Sequence, residues 1–190
     1  MTKRVFIAIN LPKEIKSKLV DLQNQLTEFD LPVRWTNPKN IHLTLIFLGE
    51  IIEKRIEKVI EICEETVSQF KSFHLKIKNL GGFPDEKNPR IIWIGVEDSQ
   101  DLISLQKELS NKFRDLGFEI EKREFSPHLT LGRTKARVKN FESLIAKLGP
   151  VDLGGFEVKS IEIMESELTP EGPIYKILEK IPLKSKISSE

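Results

Sequence analysis

The chain has 190 residues and a formal net charge of +1, with 39% hydrophobic and 31% charged residues. This length suits one domain or two small lobes, and the low net charge excludes a strong global field for nucleic acid or membrane. Any polyanion must therefore bind through a local patch. Cys63 is the sole cysteine, which excludes an internal disulfide and a cysteine-based zinc site and favours a reducing compartment, the cytoplasm.

Hydrophobic periodicity predicts an α+β chain. Apolar residues at helical spacing predict helices over 12–29, 53–70, 99–116 and 140–148. Alternating and short apolar runs predict strands over 5–9, 33–35, 41–48, 73–80, 90–96, 118–121, 128–133, 156–165 and 174–181. The chain enters its first strand without the apolar run of a signal peptide, and no run approaches membrane-spanning length. We expect one domain over 1–183 and a frayed tail over 184–190.

One tetrapeptide occurs twice, since residues 42–45 and 128–131 both read His-Leu-Thr-Leu. Residues i and i+2 of a strand share a face, so each copy places a histidine beside a threonine and both leucines on the opposite, buried face. Similar predicted elements surround each copy, which favours two related lobes, each with a mostly antiparallel sheet. Facing each other across a cleft, the copies would put two imidazoles and two hydroxyls around one small target.

Paired histidines suit the cleavage of a phosphodiester. One neutral and one protonated imidazole can act as base and acid near neutral pH, while the attacking oxygen loses a proton and the leaving oxygen gains one. Thr44 and Thr130 lie where hydroxyl donors for the non-bridging oxygens are needed. This chemistry requires no metal in principle, and the near-identical motifs leave open which histidine is the acid.

The two motifs, with the Arg-Trp pair at 34–35, Phe-Leu-Gly-Glu at 47–50 and the segment 168–175, resemble the two-histidine (2H) phosphoesterase superfamily. Within it, they resemble the RNA 2′,3′-cyclic phosphodiesterases, some of which are named 2′-5′ RNA ligases. The resemblance covers nearly the whole chain. It implies an α+β fold of two pseudo-symmetric lobes, each a mostly antiparallel sheet with helices on its outer face, and a central cleft between the sheets.

The same resemblance implies an activity and roles for residues. RNA 2′,3′-cyclic phosphodiester ends would be hydrolysed to 2′-phosphomonoesters without a metal or other cofactor. His42 would donate a proton to the leaving 3′-oxygen, and His128 would activate water as the base. Thr44 and Thr130 would bind phosphate oxygens. The expected partners are RNA ends or small cyclic nucleotides, with no membrane, and the protein is expected to be a monomer.

Other candidates have competing interpretations. Arg133 could bind phosphate, but strict alternation points it away from His128 unless a bulge at Gly132 returns it to the cleft. Phe6 could stack on a base or pack in the core, and Arg34 could add charge to the cleft or stay a surface residue. Trp35 and Trp93, together with Cys63, are expected in the core, and His74 on the surface. A basic run at 135, 137 and 139 could be an RNA rim or a solvated loop.

Three alternative functions stay open on the sequence. A 2′-5′ RNA ligase would run the same chemistry in reverse, with an RNA 5′-hydroxyl in place of water. A binding module would keep the cleft without turnover, which the intact histidine pair disfavours. A metal site on His42 and His128 is disfavoured because the motifs supply threonines where a third ligand would be needed.

Overall fold

The computed structural model describes residues 1–97, 99–170 and 172–185, which form four α-helices and nine strands. The helices are α1 (Lys13–Thr27), α2 (Ile56–Val67), α3 (Gln100–Asp115) and α4 (Phe141–Leu148). The strands are β1 (Thr2–Asn10), β2 (Val33–Trp35), β3 (His42–Ile52), β4 (Phe73–Phe83), β5 (Ile91–Val96), β6 (His128–Thr134), β7 (Asp152–Val158), β8 (Ser160–Thr169) and β9 (Gly172–Pro182).

The strands form two antiparallel sheets, which confirms the predicted α+β class. The first sheet has the order β3-β1-β8-β9 and combines strands from both ends of the chain. The second has the order β2-β6-β5-β4-β7, and its strand β2 precedes β3 of the first sheet along the chain. One motif strand lies in each sheet, and β3 contacts β6. The two lobes are therefore interleaved along the chain and are not its two halves.

The leucines of both motifs are buried in one continuous core, as the alternation predicts. The exposed fraction of Leu43 is 1%, and that of Leu129 is 0%. Helix α1 contributes Ile15, Leu19 and Leu26 to the same core at helical spacing. Burial of the leucine face fixes the register of each motif strand, because a slip of one residue would turn the leucines to solvent.

Two predicted strands are wrong, because packing overrides the local pattern. Over 118–121 there is no strand, and Phe118 instead packs edge-on against Phe113 with ring centroids 5.4 Å apart. The predicted strand over 156–165 is two strands, β7 and β8, which belong to different sheets. A turn-like stretch with Gly154 at φ 78° lies inside β7, so its glycines conceal this strand from a periodicity count.

The chain beyond β9 is attached to the second sheet's β4 side. Leu183 is buried, Lys184 forms an isolated bridge with Lys71, and the Ser72 amide donates a hydrogen bond of 2.8 Å to the Lys184 carbonyl. The rest of the expected tail, 186–190, lies outside the described residues. Within the described ranges, no helix is both long and apolar enough to cross a bilayer. The monomeric state and cytoplasmic location stay predictions.

Candidate active site

Both motif strands line one cleft of about 1170 Å³ between the two sheets. The structure brings together His42 and Thr44 from β3 with His128 and Thr130 from β6 on its walls. Within the described part of the chain, neither threonine hydroxyl is hydrogen-bonded to another residue. Two imidazoles and two hydroxyls are therefore available to one small ligand.

The two histidines are anchored in the same way. Nδ1 of His42 lies 2.7 Å from the carbonyl oxygen of Asn40, and Nδ1 of His128 lies 2.7 Å from that of Ser126. A carbonyl oxygen only accepts, so Nδ1 carries the hydrogen in both rings. The remaining nitrogen, Nε2, is then the atom that gains or loses a proton in the cleft. Each motif therefore fixes both the ring orientation and the tautomer with its own backbone.

The surroundings of the two rings differ. His42 packs between Phe6 and Tyr175, with ring centroids 4.9 and 5.1 Å away. Burial lowers the pKa of His42 below its ordinary value of 6.5, the hydrogen bond to Asn40 opposes this, and the charge of Lys16 lowers it further. Protonated His42 is thus a stronger acid than an exposed histidine.

The second histidine lies among aromatic side chains of the other sheet. Its ring is 4.9 Å from Phe83 in an edge-on arrangement and 6.3 Å from Trp93. Trp93 pairs with Thr130 across β5 and β6, so it lies on the cleft side of the sheet, and the expectation of a core position is wrong. The indole fits there because Gly81 lacks a side chain, since a Cβ at that position would clash with the ring.

A β-bulge follows the threonine in both motifs. Along β6, Thr130 pairs with Trp93 but Gly132 pairs with Ile92, so Leu131 is an extra residue in the ladder. Along β3, the register against β1 shifts in the same way around Leu45. A bulge changes which face the following residues use. The alternation resumes one residue later, so position 133 shares the face of Thr130, and position 47 shares that of Thr44.

Because of this bulge, Arg133 lines the cleft, although strict alternation would have pointed its side chain away from it. The extra residue is Leu131, one position before the glycine where we expected it. Arg133 pairs with Arg34 of β2, which also lines the cleft. In the first motif the same position is Phe47, whose side chain is 45% exposed. The two lobes thus share a β-bulge at the same position, but the residue that it turns into the cleft is a cation in one lobe and an aromatic residue in the other.

Each bulge is held by a glutamine from a helix. Nε2 of Gln23 on α1 donates hydrogen bonds to the carbonyl oxygens of Leu131 and Thr36 at 2.9 and 2.8 Å. Nε2 of Gln106 on α3 donates to the carbonyl of Leu45 at 3.4 Å. The Leu131 carbonyl also accepts a hydrogen bond of 2.8 Å from the Thr36 amide, so Gln23 is a second donor to the bulged residue. Gln23 is only 6% exposed, so this contact positions the end of β6 from the core.

We expect Gln23→Met to weaken the binding of inorganic phosphate about threefold to tenfold, because methionine keeps the volume but cannot hold the bulge that turns Arg133 into the cleft. The measurement is calorimetric titration of the wild type, Gln23→Met, Arg133→Ala and the double variant. The glutamine substitution should cost little further affinity once Arg133 is removed. Additive losses would contradict a role through Arg133 and leave Gln23 a purely structural residue.

The cleft concentrates positive charge that the chain's net charge of +1 conceals. Among the described residues that line it, none is a carboxylate. Arg133 forms no ion pair with any described carboxylate. Burial raises the pKa of the Tyr175 phenol, and the nearby charges of Arg133 and Arg4 oppose this rise. Such a lining attracts an anion. The cations are Arg4, Lys16, Arg34, Lys39 and Arg133.

Three of these cations, Arg4, Lys16 and Lys39, were not among the candidates from sequence. Lys16, in the first turns of α1, donates a hydrogen bond of 3.1 Å to the carbonyl of Lys39, and burial lowers its pKa while Glu162 opposes this. Glu162 is 4% exposed and accepts a hydrogen bond from the side chain of Asn10. Helical periodicity places Lys16 on a polar face, which gives no signal for a cleft position.

The other sequence candidates lie as follows. Phe6 is on the cleft side of β1 but only 3% exposed, so it supports the His42 ring and offers little surface for a base. Trp35 is partly buried against the core. Burial raises the pKa of the Cys63 thiol, as for a structural core residue. Exposed positions that do not line the cleft are His74, Lys135, Arg137 and Lys139.

The side chains that commonly bind metals are dispersed in this structure. Within the described ranges, no three or more His, Cys, Asp or Glu residues come together in a way that could hold a metal ion. The histidine pair has threonines beside it, and hydroxyls of this kind are not the usual partners of imidazole in metal sites.

Comparison with known proteins assigns the chain to a family. The family model of the 2′-5′ RNA ligase superfamily matches residues 9–170. The chain belongs to this superfamily of 2H phosphoesterases. A relative in Methanothermobacter thermautotrophicus named RNA 2′,3′-cyclic phosphodiesterase is 33% identical over 181 residues, covering 94% of this chain and 98% of the relative. One of the same name in Thermotoga maritima is 37% identical over 177 residues, covering 92% of each.

The fold of this 2H phosphoesterase is shared with solved structures. The crystal structure of TT0787 of Thermus thermophilus superposes with a TM-score of 0.84 at 29% identity, covering 97% of this chain and 100% of that one. The likeness extends over nearly the whole of both chains, so the two proteins share one overall fold.

Proposed function

We propose that this protein hydrolyses RNA 2′,3′-cyclic phosphodiester ends to 2′-phosphomonoesters by acid/base catalysis with its two histidines. One observation carries the proposal: Nε2 of His42 and of His128 and the hydroxyls of Thr44 and Thr130 are all available on the walls of one cationic cleft. The relatives named RNA 2′,3′-cyclic phosphodiesterase support the substrate class.

The proposed reaction needs one proton removed and one supplied. Nε2 of His128 accepts a proton from water, and the water oxygen forms a bond to phosphorus while the bond from phosphorus to the 3′-oxygen breaks. Nε2 of His42 gives its proton to that 3′-oxygen. The product has a 2′-phosphomonoester and a 3′-hydroxyl, and the two rings exchange protons with solvent before the next turnover. This assignment of acid and base follows the family resemblance.

The remaining groups stabilise charge on the phosphate. Hydroxyl donors from Thr44 and Thr130 hold the non-bridging oxygens, where negative charge concentrates in the transition state. Arg133 and Lys16 both add positive charge to the cleft. The lowered pKa of His42 makes its protonated form a ready donor to an alkoxide, and a bound anionic phosphodiester favours that protonated form.

The test is hydrolysis of a short RNA ending in a 2′,3′-cyclic phosphate, followed across pH in excess chelator. We expect turnover to persist with chelator, to yield the 2′-phosphate, and to give a bell-shaped profile of kcat/KM against pH. Its acid limb should lie below pH 6.5, because burial lowers the pKa of His42 whichever role that histidine plays. Formation of the 3′-phosphate, or loss of activity on chelation, would overturn the proposal.

A second candidate, the joining of RNA halves through a 2′-5′ bond, is favoured only by the superfamily's description. It uses the same groups, with an RNA 5′-hydroxyl in place of water. Adding 5′-hydroxyl RNA to the same assay separates the two. If the 2′-phosphate is still the main product, hydrolysis is the main activity. If a joined RNA is the main product, ligation is the main activity.

A further inference from the structure

The first sheet exposes apolar side chains on its cleft side, away from the histidines. The exposed fraction is 45% for Phe47, 67% for Leu168, 50% for Ile174 and 54% for Ile177, and all four line the cleft. Exposed apolar residues that cluster on the wall of a binding cleft indicate a ligand surface more often than chance exposure.

The register of the sheet shows how far this surface extends. Phe47 pairs with Phe6, Phe6 with Met164, and Met164 with Ile177, so these residues form one row across β3, β1, β8 and β9. Its two end members, Phe47 and Ile177, are exposed, and the two between them are buried. Three inter-strand spacings make this row about 14 Å wide. We call this row the apolar row.

Phe47, the exposed aromatic member of the apolar row, lies apart from His42 along the strands. His42 pairs with Asn10 of β1, and Phe47 pairs with Phe6, four residues along the same strand. At about 3.3 Å per residue, the backbone of Phe47 lies about 13 Å along the sheet from that of His42. The aromatic rings next to His42 are already in contact with it, and Phe6 is only 3% exposed. Phe47 is therefore the exposed aromatic ring of this sheet wall within the described ranges.

The ring of Phe47 is held in place by a neighbouring cation and is partly exposed. The guanidinium of Arg4 lies 4.8 Å from the centroid of its ring, a cation–π contact that fixes one side of the ring and leaves the exposed part to the cleft. Arg4 and Arg133 both lie near Tyr175, so positive charge borders the same end of the cleft. An exposed aromatic ring bordered by cations is the arrangement that binds a stacked base together with its phosphate.

We propose that the apolar row binds the nucleoside on the 5′ side of the reacting nucleotide, with its base stacked on Phe47. The inference deepens the proposed function, on which it rests for the identity of the ligand. It follows that the preferred substrate is an RNA end of at least two nucleotides, and that a mononucleoside cyclic phosphate fills only the part of the cleft around the histidines.

The experiment uses product-like probes, so that it needs no turnover. Dissociation constants are measured by calorimetry for an RNA dinucleotide ending in a 2′-phosphate and for a mononucleoside 2′-phosphate. The proteins are the wild type, Phe47→Ala, Phe47→Tyr and Ile52→Ala. Ile52 is a matched control, because it is 55% exposed on the same strand and does not line the cleft. Melting temperatures check that each variant folds.

We expect the wild type to bind the dinucleotide more tightly than the mononucleotide. Phe47→Ala should lower this preference about tenfold, which is the effect of losing one base-stacking contact. Phe47→Tyr keeps a flat ring and should retain the preference, and Ile52→Ala should match the wild type. Equal binding of both probes by the wild type, or an unchanged preference in Phe47→Ala, would overturn the proposal.

The outcomes also separate this proposal from the proposed function. If cyclic phosphate ends are hydrolysed but Phe47→Ala keeps the preference for the dinucleotide, only the apolar row is wrongly assigned. If Phe47 supports a preference for the dinucleotide but no cyclic phosphate is hydrolysed, the row stands as an RNA-binding surface and the proposed activity fails.

Discussion

His42→Ala and His128→Ala are each expected to lower kcat for hydrolysis of a 2′,3′-cyclic phosphate end by about 10²- to 10⁴-fold. Each variant removes one of the two proton-transfer groups, while the other ring keeps its backbone anchor to Asn40 or Ser126. The measurement is single-turnover hydrolysis at saturating protein, which separates the chemical step from binding.

His74→Ala is the matched control, since His74 is the remaining histidine of the chain and lies exposed outside the cleft. This variant should turn over like the wild type. The double variant of His42 and His128 should lose little more than either single variant, because the two rings act in one step. Wild-type turnover in either single variant would rule out a paired acid/base mechanism.

Thr44→Val and Thr130→Val are expected to lower kcat about 10²-fold each. Valine keeps the branched shape of threonine on the strand but lacks the hydroxyl that holds a non-bridging oxygen. The loss should appear mainly in kcat, because charge on those oxygens increases as the transition state forms. Thr130→Ser and Thr44→Ser keep the hydroxyl and should restore most of the activity.

These threonine variants are measured with the same cyclic-phosphate RNA as the histidine variants. Thr44 and Thr130 line the cleft without a hydrogen bond to another described residue, so their substitution should leave the melting temperature within a few degrees of the wild type. A large loss of stability, or full activity in both valine variants, would show that the hydroxyls do not serve the phosphate.

The central parts of the site could be predicted because they repeat. Alternation along a strand puts His42 with Thr44 and His128 with Thr130, and burial of the intervening leucines then fixes which face each pair uses. The residue types alone suggest proton transfer and oxyanion binding. The same reasoning excluded His74 and Cys63, which alternation and helical spacing place away from any cleft.

Arg133 and Phe47 could not be placed, because their faces depend on bulges at Leu131 and Leu45. A bulge is one extra residue in a ladder, and a single strand's sequence does not show its partner's register. Two glutamines mark the bulges in the structure, since the amides of buried Gln23 and half-buried Gln106 donate to the carbonyls of Leu131 and Leu45. Their role is visible only when helix and strand are brought together.

The interleaving of the lobes was also beyond the sequence. Periodicity identifies β1, β8 and β9 as strands or parts of strands but does not say that β8 and β9, far along the chain from β3, complete its sheet. That long-range pairing carries Tyr175 to His42 and gives the cleft its apolar row. Lys16 enters the cleft for the same reason, through the packing of α1 and not through any local pattern.

The most direct test is a crystal structure of the protein with a bound nucleoside 2′-phosphate, the proposed product. It should show one phosphorus atom between the two motif strands, with its oxygens within hydrogen-bonding distance of Nε2 of His42 and of His128 and of the hydroxyls of Thr44 and Thr130. A phosphate bound to only one of the two motifs, or outside the cleft that both line, would contradict the account.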